Sequence, residues 1–265
     1  MIPRKLDMFR TALLLGLLPL ASCSSLKEGE HHYFHKTEQP HAAEWGYEGA
    51  IGPDHWAELS PDYVLASEGR HQSPIDISGA SVEEMPEVEF HYHPAVIDLV
   101  YNGHTIEEKE DLQSCIEVEG TTYVLEQFHF HSPSEHTIDG KHSAMEMHLV
   151  HKSAEGEIAV VGVMIEEGAE NEAFAPIWRM LPDMEHPTVK AERTVDAAAL
   201  LPENQAYYRY DGSFTTPPCT ENVLWMVMLE PVSLSSEQIG LFRGVIQGNN
   251  RPVQPLNERS ITVSH

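Results

Sequence analysis

Cationic residues are scarce in this chain. Lys and Arg together number 16 against 42 Asp and Glu, which leaves a formal charge of -26. A phosphate backbone would be repelled by such a surface, so nucleic-acid binding is excluded. Cysteine is nearly absent as well, with three in 265 residues at positions 23, 115 and 219. A disulfide-dense scaffold is therefore ruled out, and only Cys115 and Cys219 fall inside the region that reads as a domain. We expect both as free thiols. Beyond the first 22 residues there is no long apolar run, and from Trp45 onward there is no repeat, low-complexity tract or second linker, so one domain is the simplest parse.

What the chain does have is a leader. Arg4, Lys5 and Arg10 precede the apolar run 12–20, which is too short to span a bilayer. It ends in Leu20-Ala21-Ser22-Cys23, which resembles the bacterial lipoprotein cleavage box, whose cysteine becomes the lipidated first residue of the mature protein. Residues 1–22 are thus expected as a lipoprotein signal peptide and 23–44 as a tether, followed by a domain over 45–265. The expected location is periplasmic or cell-surface, with the membrane held through Cys23. His31, His32, His35 and His41 in the tether read as a solvated linker.

The middle of the domain is rich in strand signals. Leu99-Val100-Tyr101, Asn102-Gly103 and His104-Thr105-Ile106 predict a hairpin closed by a two-residue turn. Residues 123–131, 145–151, 158–165 and 223–229 are further predicted strands, and helices are predicted over 171–180 and 236–246. The fold class that follows is mainly β (α+β): a large, twisted, mostly antiparallel central sheet with short peripheral helices in a single domain.

Histidine is abundant, 17 in all, so about one His-x-His triplet is expected by chance and spacing alone is weak evidence. Context adds more. On a strand, residues two apart share a face, so Gln127, His129 and His131 project together, as do Glu146, His148 and Val150. Two such strands side by side bring three imidazoles to one point, with Gln127 and Glu146 placed to bond the outward ring nitrogens. Three neutral nitrogens would leave a tetrahedral Zn2+ one open position, the catalytic pattern. Spacing alone also admits a set of buried histidines bonded to polar neighbours.

The segments QFHFHSPSEHT (127–137), EMHLVH (146–151) and GSFTTPPCTENVLW (212–225) closely resemble the alpha-class carbonic anhydrases. HWAELSPDY (55–63), RHQSPIDI (70–77), YNGHTI (101–106) and NNRPVQPLNER (249–259) extend the likeness, in order, from about Trp45 to the end. The resemblance implies reversible hydration of carbon dioxide to bicarbonate and a proton by attack of a zinc hydroxide, with Zn2+ as cofactor. It assigns His129, His131 and His148 as metal ligands, with Gln127, Glu146 and Asn249 supporting them. It makes Thr215, followed by Thr216, the threonine that orients the hydroxide and donates to Glu135. His104 matches the proton shuttle, and Val150, Val160, Phe214, Val223 and Trp225 match the apolar substrate pocket. Glu107 stands where the family carries an uncharged polar residue, and we expect it to raise the apparent pKa of His104 or of the zinc water. The alternative function is a noncatalytic surface lipoprotein binding module on the same fold. The chain is expected as a monomer or homodimer.

Overall fold

Alternation of residue character builds the sheet. In the computed structural model, which describes residues 43–264, the strands are β1 (Asp76–Ile77), β2 (Ser81–Val82), β3 (Glu89–His91), β4 (Ala95–Tyr101), β5 (Ile106–Lys109), β6 (Cys115–Val118), β7 (Thr121–His131) and β8 (Thr137–Ile138). They continue with β9 (Lys141–His142), β10 (Met145–Ser153), β11 (Ile158–Glu167), β12 (Thr188–Val195), β13 (Tyr207–Ser213), β14 (Glu221–Met228), β15 (Val232–Leu234) and β16 (Thr262–Val263). The main sheet runs β12-β4-β5-β7-β10-β11-β14-β13-β16-β2, with β15 on β11 and the β3–β6 ribbon on β7. It is antiparallel except where β11 meets β14 and β15 and where β16 meets β2. The expected mostly antiparallel sheet is therefore observed.

Its central strands are two-faced. Phe128 and Phe130 of β7, Met147 and Leu149 of β10, Val161 and Val163 of β11, and Met226 of β14 point to one face, all buried in one core cluster. Val150, Val160, Val223 and Trp225, from the intervening positions, form a second cluster on the opposite face. The period of two assigns each side chain to its layer, and each fully buried large apolar side chain stabilises the fold by about 1.5–3 kcal/mol.

Two short helices close the first core. Helix α1 (Ala175–Trp178) and helix α2 (Ser236–Val245) bring Trp178 and Phe242 against Phe130, with ring centroids 5.0 and 6.1 Å away. The α2 helix starts on a capping box between Ser235 and Gln238. The predicted helix over 171–180 shrinks to α1, for two reasons. Pro176 has no N–H to donate and is tolerated only in a first turn. Upstream, Asn171 turns the backbone by accepting from Ala173 N–H, while its own N–H donates to Gln238 Oε1.

One further expectation is corrected. The hairpin between β4 and β5 pairs Tyr101 with Ile106, so its loop has four residues instead of two. Asn102 is the cause: its Oδ1 accepts from both His104 N and Thr105 N, at 3.0 and 2.9 Å, and draws these residues into the turn. Both domain cysteines are buried, and Cys219 is a free thiol. The signal peptide, the tether histidines and Cys23 lie outside the described residues.

One feature of β5 breaks the usual rule for interiors. Ile106, Glu108 and, just beyond the strand, Glu110 all point inward, so two carboxyl groups are 0% and 2% exposed. Glu108 accepts from Asp98 N–H with both oxygens, whereas neither oxygen of Glu110 has a hydrogen-bond partner. Burial pushes each of them up to about 8.

Candidate active site

The sheet delivers the three predicted histidines to one place. In the β7–β10 register His129 stands directly opposite His148 and His131 opposite Glu146. The ring centroids of His129, His131 and His148 lie 4.6 to 5.3 Å apart, and one ring nitrogen from each falls within 4.8 Å of the others. Each ring is oriented from behind. His129 Nδ1–H donates to Gln127 Oε1 (2.8 Å), His131 Nδ1–H to the Asn249 carbonyl (2.6 Å) and His148 Nε2–H to Glu146 Oε1 (2.8 Å). The lone pairs of His129 Nε2, His131 Nε2 and His148 Nδ1 are thereby left to converge.

Burial holds all three imidazoles in the neutral, ligating form: His129 lies well below the usual range, His131 falls to about 4 and His148 is also lowered. His131 Nε2 is buried with no hydrogen-bond partner, and so is Glu135 Oε2, 3.5 Å away. Buried polar atoms are rarely left this way, and an acceptor nitrogen aimed at two others fits a cation. A borderline metal such as Zn2+ suits this donor set.

Glu146 anchors the arrangement. Its carboxylate accepts from His148, from His136 Nδ1–H (2.7 Å) and from the backbone N–H groups of Glu135 and His136 (2.8 and 2.9 Å). Burial alone would raise its pKa, but His136 and His148 together outweigh that and hold it well below the usual carboxylate range. Behind it, Tyr210 O–H donates to His136 Nε2 (2.6 Å) and meets Ser73 Oγ at 2.8 Å. His136, Glu146 and His148 are near enough to hold a metal themselves, but these hydrogen bonds already occupy their facing atoms. Gly162, opposite His148 on β11, leaves the room this needs, since a Cβ there would stand 3.2 Å from Glu146 Oε1.

Glu135 is fully buried, and its pKa is raised to about 7 by burial, opposed by His148, the Arg251 N–H and the Thr215 hydroxyl. Arg251 N donates to Glu135 Oε1 at 2.8 Å, and Thr215 bonds the same carboxyl. Thr216 lies partly exposed beside it, accepting Cys219 N–H to close the loop. Val150, Val160, Val223 and Trp225 form one buried wall with Phe214 packed on it, and the Trp225 ring lies 4.8 Å from His148. All five predicted pocket residues are thus brought together.

His104 is half-buried on the β4–β5 loop, tied to the triad through Asn249, whose Nδ2 donates to the His104 carbonyl. Its ring stacks on Trp45 at 3.7 Å and 7°. Glu107 pairs with His129 across β5 and β7, and burial raises its pKa despite Lys109 and a hydrogen bond to Asn102.

The profile of the eukaryotic-type carbonic anhydrase family matches residues 51–265. The chain belongs to that family. A carbonic anhydrase of Klebsiella pneumoniae is 45% identical over 223 residues, covering 83% of this chain and 91% of the relative. Among solved structures, an alpha-carbonic anhydrase from Thermovibrio ammonificans in complex with sulfanilamide superposes with a TM-score of 0.80 at 46% identity, covering 83% of this chain and 99% of that one. A hyperthermostable carbonic anhydrase from a hydrothermal vent chimney gives 0.81 at 44%, with 84% and 100% covered. The protein is accordingly a carbonic anhydrase of the alpha class. Some of what frames this carbonic anhydrase site escapes sequence reasoning. Tyr210, Ser73 and Trp45 reach it from distant segments, and the one visible signal is that Ser73 falls within RHQSPIDI (70–77).

Proposed function

We propose that this carbonic anhydrase hydrates carbon dioxide reversibly at a Zn2+ held by His129, His131 and His148. The observation that carries the reading is the convergence of three buried imidazole nitrogens, each backed by an acceptor on its other ring nitrogen. Zinc in this position would supply the Lewis acidity that brings the pKa of a bound water from 15.7 to about 7.

The chain's own groups do the rest. Glu135 accepts the hydrogen bond of the Thr215 hydroxyl, which leaves Thr215 Oγ1 as an acceptor that turns the nucleophilic oxygen toward the apolar wall. Val150, Val160, Phe214, Val223 and Trp225 exclude water there and suit a small apolar substrate better than its charged product. His104 receives the released proton on a ring nitrogen and passes it to solvent, a role open to imidazole because its two nitrogens can accept and donate in turn. Thr216 shapes the loop that presents Thr215. Stopped-flow hydration with zinc analysis tests the reading: activity in the wild type that is lost with the metal in His129→Ala supports it. A zinc-free or inactive wild type refutes it and favours the noncatalytic binding module.

The leader supports export and anchoring as a lipoprotein at Cys23, placing the domain 45–265 in the periplasm or at the cell surface. Mass mapping of the cysteines decides this. A diacylglyceryl thioether on Cys23 supports the anchor, and Cys23 found in a disulfide refutes it.

A further inference from the structure

Glu107 lies on the same face of the sheet as the histidine triad. In the β5–β7 register it is the direct partner of His129, and Lys109, two residues along that face, is the partner of Gln127. Directly opposed residues on antiparallel strands hold their Cβ atoms about 4.5–5.5 Å apart, so the Glu107 carboxyl group flanks the point where the imidazole nitrogens converge. Asn102 fixes it there. With its Oδ1 taken up by His104 N and Thr105 N, Asn102 offers Glu107 its Nδ2–H. Burial raises the Glu107 pKa, so the group is partly withdrawn from water, where a charge acts more strongly on its neighbours.

We propose that Glu107 is a specificity-determining residue: its carboxylate repels anions from the metal position, so the site admits neutral carbon dioxide, releases bicarbonate and resists other anions. The inference rests on the metal site and reaction proposed above. The apolar wall selects a neutral substrate by solvation, but it does not oppose an anion that reaches the metal itself. The other acids beside the triad are already engaged. Glu146 accepts from His136, His148 and two backbone N–H groups, and Glu135 accepts from Arg251 N and Thr215. Both are fully buried, whereas Glu107 is partly exposed and stands where an arriving ion meets its field. Lys109 opposes that field in part, since it lowers the Glu107 pKa against the effect of burial. The overall equilibrium is unaffected; what changes is the concentration at which product and other anions occupy the site.

Thiocyanate binding to the full-length protein at neutral pH tests the role, with Co2+ in place of the spectroscopically silent Zn2+ and the visible spectrum as readout. At an effective dielectric constant of about 20, a unit charge about 8 Å away alters an anion's binding constant by about 30-fold, and screening at a partly exposed group reduces this to about tenfold. Glu107→Gln is therefore expected to bind thiocyanate about tenfold more tightly than wild type, and its KM for bicarbonate in the dehydration direction should fall with it. Glu107→Asp keeps the charge and should stay close to wild type, which a merely structural role would not require. Lys109→Gln should move the other way, to weaker binding. Equal affinities in wild type and Glu107→Gln, or Glu107→Asp matching Glu107→Gln, overturn the role and leave the metal site standing. Should Glu107→Gln fail to fold, the sign of the Lys109→Gln effect decides. A wild type without Co2+ bands refutes the metal site and this inference with it.

Discussion

Replacing Glu110 by Gln is expected to stabilise the protein, and to do so more strongly as the solution becomes more alkaline. The Glu110 carboxyl is 2% exposed, has no hydrogen-bond partner and faces the negative fields of Asp111 and Asp196. Its pKa therefore rises from 4.5 to about 8 in the folded protein. An acid whose folded pKa is raised contributes most below its ordinary value, and that contribution is lost as pH climbs through about 8. With about 1.4 kcal/mol per pKa unit, the penalty carried by Glu110 is about 2 kcal/mol at pH 6 and about 5 kcal/mol at pH 9, both as ceilings. Glutamine mimics the neutral acid and carries no such term. Urea unfolding of wild type and Glu110→Gln at the two pH values should thus show a stability gap that widens by about 3 kcal/mol. For a domain of this size that corresponds to roughly 6–12 °C in Tm. Glu108 shares the pocket, so Glu108→Gln with Glu110→Gln should gain less than the sum of the single changes. Parallel pH profiles for wild type and Glu110→Gln would refute the reasoning.

Other perturbations address the site. Thr215→Val removes the bond to Glu135 and should lower kcat by about 100-fold or more with zinc content unchanged; a loss confined to KM would contradict the orienting role. Tyr210→Phe deletes the hydroxyl between His136 and Ser73 and should cost about 1–3 kcal/mol in denaturant unfolding, with hydration largely retained. Gly212→Ala should destabilise by about 1–3 kcal/mol or prevent folding, because the new methyl collides with Ser73 Oγ and meets the Trp225 ring at 2.8 Å. Glu107→Gln should move the midpoint of the pH–rate profile to lower pH, and an unchanged profile would remove Glu107 from the proton pathway.

The histidine triad is legible in the sequence because its logic is local to strands. Gln127, His129 and His131 share a face by spacing alone, and the same holds for Glu146 and His148, so ligands and supports were paired before any fold was known. Tertiary partners were not legible in this way. Ser73 and Tyr210 are 137 residues apart, and no period in the sequence announces that Ser73 meets the Tyr210 hydroxyl that bonds His136. The hairpin turn departs from the sequence expectation because Asn102 uses its side chain to extend the loop, where Asn-Gly would otherwise close in two residues. The helix expected over 171–180 is cut short because Pro176 and the capping behaviour of Asn171 override the apolar spacing. Nothing in the sequence marks Glu108 and Glu110 as interior, since strand alternation tells which residues share a face but not which face is wet.

The two-faced character of β7 has a consequence for how the protein matures. Phe128 and Phe130 lock the strand into the core, and the same backbone then carries Gln127, His129 and His131 to the other side. Donor placement is thus inherited from packing and does not have to be recruited by the ion. A chain stripped of zinc by a chelator should keep its secondary structure and cooperative unfolding, and should reload on simple mixing without a refolding step. Metal supply can then lag behind synthesis without stranding a misfolded intermediate.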